Sequence, residues 1–75
     1  MKELLEFIVK SLVSCPDDVV IDETVNGDIY TYEIRVNEAD MGKVIGKQGK
    51  IAKAIRSLMK AAAAKRNLKV NVDIV

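Results

Sequence analysis

The sequence predicts an α+β domain with the element order α-β-β-α-α-β, a three-stranded mixed sheet and helices on one face. Apolar residues recur at helical spacing near the start and in the middle of the chain, whereas residues 19–36 and 68–75 are β-branched or alternate in polarity. Two helices separate the second and third strands, so these strands should be parallel, while the first two should form an antiparallel hairpin. The expected architecture therefore has two layers.

Proline and turn residues set the expected ends of the helix and the two strands in the first half of the chain. A helix over residues 2–14 should end before Pro16, which cannot continue a helix. Strands at residues 19–25 and 29–36 flank Asn26-Gly27, and this pair favours a type I′ turn because both residues adopt positive φ angles readily.

The second half should contain a short helix over residues 39–45, a glycine-bounded loop and a long helix over residues 50–66. Asn67 should stop this helix, and a third strand should follow over residues 68–75.

A helical wheel divides the long helix into an apolar side and a basic side. The positions expected to be buried are Ile51, Ala54, Ile55, Leu58, Met59 and Ala62. Lys53, Arg56 and Lys60 lie on the opposite side, with Lys50 at its edge. A basic ridge should therefore run away from the loop.

Three aromatic residues need separate interpretations. Tyr30 and Tyr32 alternate along a strand, which favours core or cross-strand packing over stacking on nucleic-acid bases. Phe7 lies at the edge of the apolar stripe of the first helix, so it is either a peripheral core residue or part of a contact with another protein.

Length and composition exclude several classes of protein. The 75 residues correspond to one domain, residues 1–75, with a small core. Cys15 is the only cysteine and histidine is absent, which excludes a disulfide framework, a Cys/His zinc site and histidine-based acid–base catalysis within one chain. We therefore expect no enzyme activity, no catalytic residues, no metal site and no cofactor.

The apolar residues also argue against a membrane protein. No apolar run approaches the ~20 residues that span a bilayer, and the chain begins with an amphipathic pattern that contains acids rather than with a signal peptide. The expected location is cytoplasmic.

Charge is divided unevenly along the chain. Residues 1–40 carry three basic and ten acidic residues, whereas residues 41–75 carry nine basic residues and the single acid Asp73. This asymmetry favours a basic face that binds a polyanion, although two solvated surfaces of opposite sign would have the same composition.

The loop Gly46-Lys47-Gln48-Gly49 carries the main functional signal. It precedes a helix, whose first N–H groups and positive dipole end attract phosphate. The glycines would let a sugar-phosphate chain approach the backbone, while Lys47 and Gln48 supply a cation and hydrogen-bond donors.

The surroundings of the loop support this interpretation, because Lys43 and Lys50 flank it and add positive charge. Two glycines at this spacing also fit a simple turn, but the position between two helices in the basic half favours a binding loop.

The segment Gly42-Lys43-Val44-Ile45-Gly46-Lys47-Gln48-Gly49-Lys50-Ile51 resembles the V-I-G-x-x-G core of KH domains. The element order resembles the type II KH arrangement of bacteria, and length and overall pattern are similar to the KhpA family of small single-KH proteins.

This resemblance implies that the loop clamps single-stranded RNA while bases lie in an adjacent apolar groove. Gly46, Lys47, Gln48 and Gly49 match the phosphate clamp, and Ile45 and Ile51 match the apolar positions beside it. Charge and helix geometry add a second group, which consists of Lys43, Lys50, Lys53 and Arg56.

The resemblance also implies partners and a cellular role. KhpA-like proteins are expected to form homodimers, to pair with a larger KH-containing protein of the KhpB type, and to act as RNA chaperones that affect cell elongation and wall synthesis. Dimerisation would raise the avidity of a module that binds weakly by itself.

Three other interpretations compete with RNA binding. A nucleotide-binding enzyme is disfavoured because a Walker A loop needs four residues between its glycines, and only three separate Gly42 from Gly46. A KH-like protein-interaction module with vestigial RNA binding remains open, as does binding of single-stranded DNA, because a backbone clamp does not require a 2′-hydroxyl.

Overall fold

The computed structural model describes residues 1–75 and has the expected order of helices and strands. These are α1 (Lys2–Leu12), β1 (Val20–Asn26), β2 (Ile29–Arg35), α2 (Met41–Ile45), α3 (Lys50–Ala64) and β3 (Lys69–Ile74). Short 3₁₀ turns precede β1, α2 and α3. None of the helices combines the length and the apolar character that are needed to cross a bilayer.

The sheet has the order β1-β2-β3, with β1 antiparallel and β3 parallel to the central strand. Its inner face is apolar and is covered by the helices, while Asp22, Glu33 and Asp73 lie side by side on the opposite face. Both the mixed sheet and the two-layer α+β prediction are confirmed. Strands β1 and β3 are the free edges of the sheet.

The core lies between the inner face of the sheet and the helices. Its buried apolar side chains are Leu5, Val9, Ile21, Tyr32, Ile34, Val44, Ile55, Met59, Ala63, Val70 and Val72. Tyr32 is fully buried, as expected of a core residue, and its hydroxyl donates to Glu23 Oε2 at 2.7 Å. Burial raises the pKa of Tyr32, and the Glu23 carboxylate raises it further, so the phenol remains a hydrogen-bond donor.

The hairpin differs from the expected turn type. Asn26 pairs with Ile29, so Gly27 and Asp28 occupy the two central positions of the turn. Only Gly27 has a positive φ, of +63°, and a positive φ at the first central position alone is the pattern of a type II′ turn. The type I′ prediction is wrong because the strand register places Asn26 in β1.

Helices α1 and α3 end two residues earlier than expected, at Leu12 and Ala64. After α3, Asn67 adopts a φ of +57°, and Leu68 N–H donates to Ala63 C=O at 2.9 Å. This is the Schellman arrangement that satisfies the last carbonyls of a helix, and it confirms Asn67 as the helix stop.

The buried face of α3 is rotated from the expected one. Ile55 and Met59 are buried as predicted, but Ala52 and Ala63 replace Ala54 and Leu58 in the core. Leu58 is 54% exposed. The apolar stripe of α3 is wider than its contact with the sheet, so packing against β3 rather than the helix pattern decides which side is buried.

Phe7 is also on the surface, with 73% of its area exposed. The interpretation of Phe7 as a peripheral core residue is therefore wrong. Leu5 and Val9 fill the core from α1 instead, and Leu4 is exposed like Phe7.

Asp40 is the one buried charged residue, with 1% of its surface exposed. Its Oδ1 accepts a hydrogen bond from Ser14 N–H at 3.1 Å, and its Oδ2 accepts one from Cys15 N–H at 3.0 Å. Lys43 Nζ lies 3.6 Å from Asp40 Oδ1 and also donates to Ser14 Oγ. These contacts tie the chain after α1 to the start of α2.

The N–H of Ser14 has the largest effect on the Asp40 carboxyl and lowers its pKa; Cys15 N–H and Lys43 act in the same direction, and burial opposes them. Such a carboxylate stabilises the fold at pH values above its unfolded-state pKa, which is near 4. This contribution is lost as the pH falls through the lower folded-state pKa.

We expect Asp40→Asn to lower the melting temperature by roughly 5 °C at pH 7. The difference from wild type should shrink at pH values below the folded-state pKa.

Thermal unfolding followed by circular dichroism at neutral and strongly acidic pH measures this effect. Asp17→Asn, at an exposed carboxylate in the same connection, is the control and should change little. An Asp40→Asn effect of equal size at both pH values would contradict the role of the charge.

Candidate nucleic-acid interface

The loop between α2 and α3 has an unusual backbone. Gly46, Gln48 and Gly49 have positive φ values of 74°, 59° and 73°. Glycine tolerates this region freely, but a glutamine there is uncommon and marks a conformation that the surroundings impose. Successive amides in such a turn can converge on an anion, and the loop leads directly into the N-terminus of α3.

Gly46 is required by packing as well as by its φ angle. A Cβ at this position would lie 2.5 Å from Ile51 Cγ1, which is closer than such atoms approach in proteins. Gly49 has open space around it, so only its φ angle favours glycine. Ile51 therefore packs over the Cα atom of Gly46 and fixes how α3 leaves the loop.

The polar side chains of the loop are exposed. Lys47 and Gln48 both face solvent, and Lys50 follows at the first position of α3. Lys43 differs from them because Ser14 and Asp40 already hold its ammonium group. The structure thus brings Lys47 and Lys50 together at the loop and gives Lys43 a contact with the scaffold.

The predicted basic ridge is present on α3. Lys53, Arg56 and Lys60 are all exposed along one side of the helix. The Nε of Arg56 donates to the backbone carbonyl of Val72 at 3.0 Å, so the ridge lies directly beside the free edge of β3.

A groove runs between α3 and this edge, and we call it the α3–β3 groove. Part of it is a cleft of about 190 Å³ lined by Arg56, Lys60, Val70, Asn71, Val72 and Asp73. It continues past Lys60 towards Ala63, Leu68 and Lys69. The two parts have volumes of about 190 and 320 Å³ and together form an open groove, a shape that suits an extended chain.

The apolar residues beside the loop have different environments. Ile45 is 37% exposed, whereas Ile51 is partly buried against the core. No three cysteine, aspartate or glutamate side chains lie close enough to share a metal ion.

Sequence reasoning did not identify the β3 side of the groove. Lys60 was expected on the basic ridge, but nothing linked this ridge to Val70, Asn71 or Asp73, because these residues meet α3 only through tertiary packing. The available signal was the topology: β3 follows two helices and pairs with β2 alone, which makes it an edge strand beside α3.

Comparisons with known proteins agree with this geometry. The sequence model of the family described as "KhpA/KhpB, KH domain" matches residues 2–74. A protein named RNA-binding protein KhpA from Clostridium acetobutylicum is 56% identical over 75 residues, which is the full length of both chains. Proteins of the same name from Listeria monocytogenes and Chlamydia trachomatis are 48% and 43% identical over 75 residues, covering all of this chain and 99% and 96% of theirs. With its α+β fold and glycine-bounded loop, the chain belongs to the KhpA/KhpB family of KH domains.

Proposed function

We propose that residues 1–75 form one KH domain that binds single-stranded RNA through the loop Gly46–Gly49 and the α3–β3 groove. The observation that carries this proposal is the loop itself, in which three of four residues have positive φ angles and the two middle side chains are exposed. A backbone of this shape in front of a helix N-terminus suits phosphate oxygens.

The groove supplies the second half of the proposed site. Phosphates held at Lys47 and Lys50 would leave the following bases beside α3, where the β3 edge provides backbone polar groups and the partly exposed Leu68 provides apolar surface further along. Lys53 and Arg56 continue the positive charge along the same direction. We include Ile45 and Ile51 as apolar positions next to the clamp and Lys43 as a distant contributor to charge.

RNA is favoured over DNA by the relatives, whose names describe them as RNA-binding proteins. Following the resemblance to the KhpA family, we extend the proposal to an RNA chaperone that acts in post-transcriptional regulation in the cytoplasm, with links to cell elongation and wall homeostasis. Pairing with a larger protein of the KhpB type belongs to the same extension, and the family description names both members.

The alternative function, a protein-interaction or dimerisation module, also has a specific observation in its favour. Phe7, Leu4 and Leu58 are 73%, 43% and 54% exposed, which leaves apolar surface on both α1 and α3. Self-association would cover such surface, and it would also raise the avidity of a weak RNA-binding module. The two functions are therefore compatible.

The RNA proposal predicts that Lys47→Asp/Gln48→Asp weakens binding of short single-stranded RNA at least tenfold. The change puts two carboxylates where phosphates would bind and retains both glycines, and aspartate tolerates the left-handed conformation of residue 48. Fluorescence anisotropy at low and physiological salt measures the affinity, and the variant should also show a shallower salt dependence.

Lys10→Asp/Ser11→Asp is the matched control, since it makes the same change in charge at two exposed residues of α1. Circular dichroism should show that both variants are folded. Equal binding by wild type, control and loop variant would refute the loop as the RNA site and favour the interaction module.

If the exposed apolar surface mediates self-association, Leu58→Glu should shift the protein towards the monomer without unfolding it, because this side chain is outside the core. Analytical ultracentrifugation across a concentration series measures the shift. A wild-type protein that stays monomeric at all concentrations would argue against this surface as a dimer interface.

A further inference from the structure

Strand β1 forms the edge of the sheet that lies furthest from the α3–β3 groove. The hydrogen bonds of β2 show which backbone groups of β1 are already paired. The carbonyl of Ile34 accepts a hydrogen bond from Val75 N–H at 3.0 Å, so the polar backbone groups of Ile34 face β3. Because these directions alternate along a strand, the even-numbered residues of β2 face β3 and the odd-numbered residues face β1.

The antiparallel register then identifies the partners in β1. The odd-numbered residues of β2 pair with Val20, Asp22, Thr24 and Asn26. The backbone groups of Ile21, Glu23 and Val25 therefore point away from the sheet, and no hydrogen bond outside the strand ladder uses them. Ile21 is only 7% exposed, but Val25 is 50% exposed and Glu23 also faces solvent. The accessible edge thus offers the N–H and C=O groups of Glu23 and Val25.

This edge lacks the features that commonly protect an edge strand, which include lysine, proline and β-bulges. Strand β1 contains neither lysine nor proline and pairs with β2 residue for residue. The β3 edge differs, because Arg56 Nε already donates to Val72 C=O there. Glu23 is the charged residue on the helix side of β1, and its carboxylate accepts from the Tyr32 hydroxyl as part of the fold. The backbone of β1 therefore remains open to another strand.

The charge around β1 indicates which kind of strand would bind. Residues 11–34 contain six acidic residues and no basic residue. Asp22 lies beside Glu33 on the open face of the sheet, and neither residue forms an ion pair. A nucleic acid would be repelled from this edge, whereas a protein segment that carries lysine or arginine would be attracted to it.

A second copy of the chain is a poor occupant of the same edge. Pairing between the β1 strands of two copies would bring two sets of Asp22 and Glu23 onto one ribbon, and like charges close together across strands are destabilising. Two consecutive basic residues would instead match these carboxylates, one on each face of the sheet. Val25 lies on the same face as Glu23 and suits an apolar side chain opposite it.

We propose that the edge of β1 is a docking site for an extended, basic segment of a partner protein, which adds a fourth strand to the sheet. The backbone groups of Glu23 and Val25 would bind the segment, and its consecutive basic residues would select it. Strand β2 separates this edge from the α3–β3 groove, so the segment and an RNA strand would occupy opposite edges of the sheet. The docking site does not depend on RNA binding.

The first test uses the peptide Ser-Val-Thr-Lys-Arg-Val-Thr-Ser with blocked ends, added in excess to the protein at low salt. Amide hydrogen exchange followed by NMR should slow at least about tenfold at Glu23 and Val25, because their N–H groups gain acceptors. Asp22 and Thr24 already pair with β2 and should change little. The same peptide with glutamate in place of lysine and arginine is the control and should not bind.

The second test uses variants of β1 and the fluorescently labelled peptide. Val25→Pro removes an outward N–H without removing a donor from the ladder, and it should weaken binding at least about fivefold. Val25→Ala is the matched control, because it shortens the same side chain but retains the N–H, and it should bind more tightly than Val25→Pro. Asp22→Asn/Glu23→Gln removes two charges at nearly constant shape and should weaken binding about threefold or more. Circular dichroism should show that all three variants are folded.

Slower exchange at Glu23 and Val25 together with weaker binding by Val25→Pro would support the docking site. Peptide binding without slower exchange at these two amides would overturn the edge as the site, and absence of binding would overturn the proposal as a whole. Unchanged affinity in Asp22→Asn/Glu23→Gln would overturn the selection of a basic segment. Exchange that slows with rising protein concentration, without peptide, would show that a second copy occupies the edge instead.

Discussion

The contact between Ile51 and the Cα atom of Gly46 constrains how α2, the loop and α3 meet. Glycine at position 46 lets the chain turn with a positive φ and lets Ile51 pack where a Cβ would lie only 2.5 Å from Ile51 Cγ1. Helix α3 begins four residues later. This turn points the N-terminus of α3 at the loop and sets the direction of the basic ridge. The candidate clamp and the candidate groove thus both depend on one apolar side chain packed over one glycine.

The positive charge of the second half of the chain is concentrated at the loop before α3 and along α3. On the open face of the sheet, Asp22, Glu33 and Asp73 are neighbours across the strands, and Arg35 and Lys69 lie on the same face. Lys53 and Lys60 line the exposed side of α3, which carries no acidic residue. Like charges opposite one another on a sheet are mildly destabilising. The three neighbouring carboxylates would repel a polyanion locally, so the basic side of α3 is the better surface for one.

Secondary structure was predictable because each element has a local cause. The backbone preferences of Pro16 and Asn67 limit α1 and α3, which both end before these residues. The alternation of Val70 and Val72 defines one face of a strand without reference to the rest of the chain. The errors have a different origin. The turn type depended on the register between two strands, and the exposure of Leu58 depended on which side of α3 meets the sheet.

By itself, the sequence determined the order of elements, the glycine-bounded loop and the concentration of positive charge after residue 40, since these follow from local conformational preferences and composition. Only the tertiary structure decided that Asp40 accepts hydrogen bonds from Ser14 and Cys15, that Arg56 reaches Val72 and that the ridge faces an edge strand. The physical reason is that hydrogen bonds and ion pairs act over a few ångströms. Residues far apart in the chain come within that range only when the core has fixed the helices on the sheet.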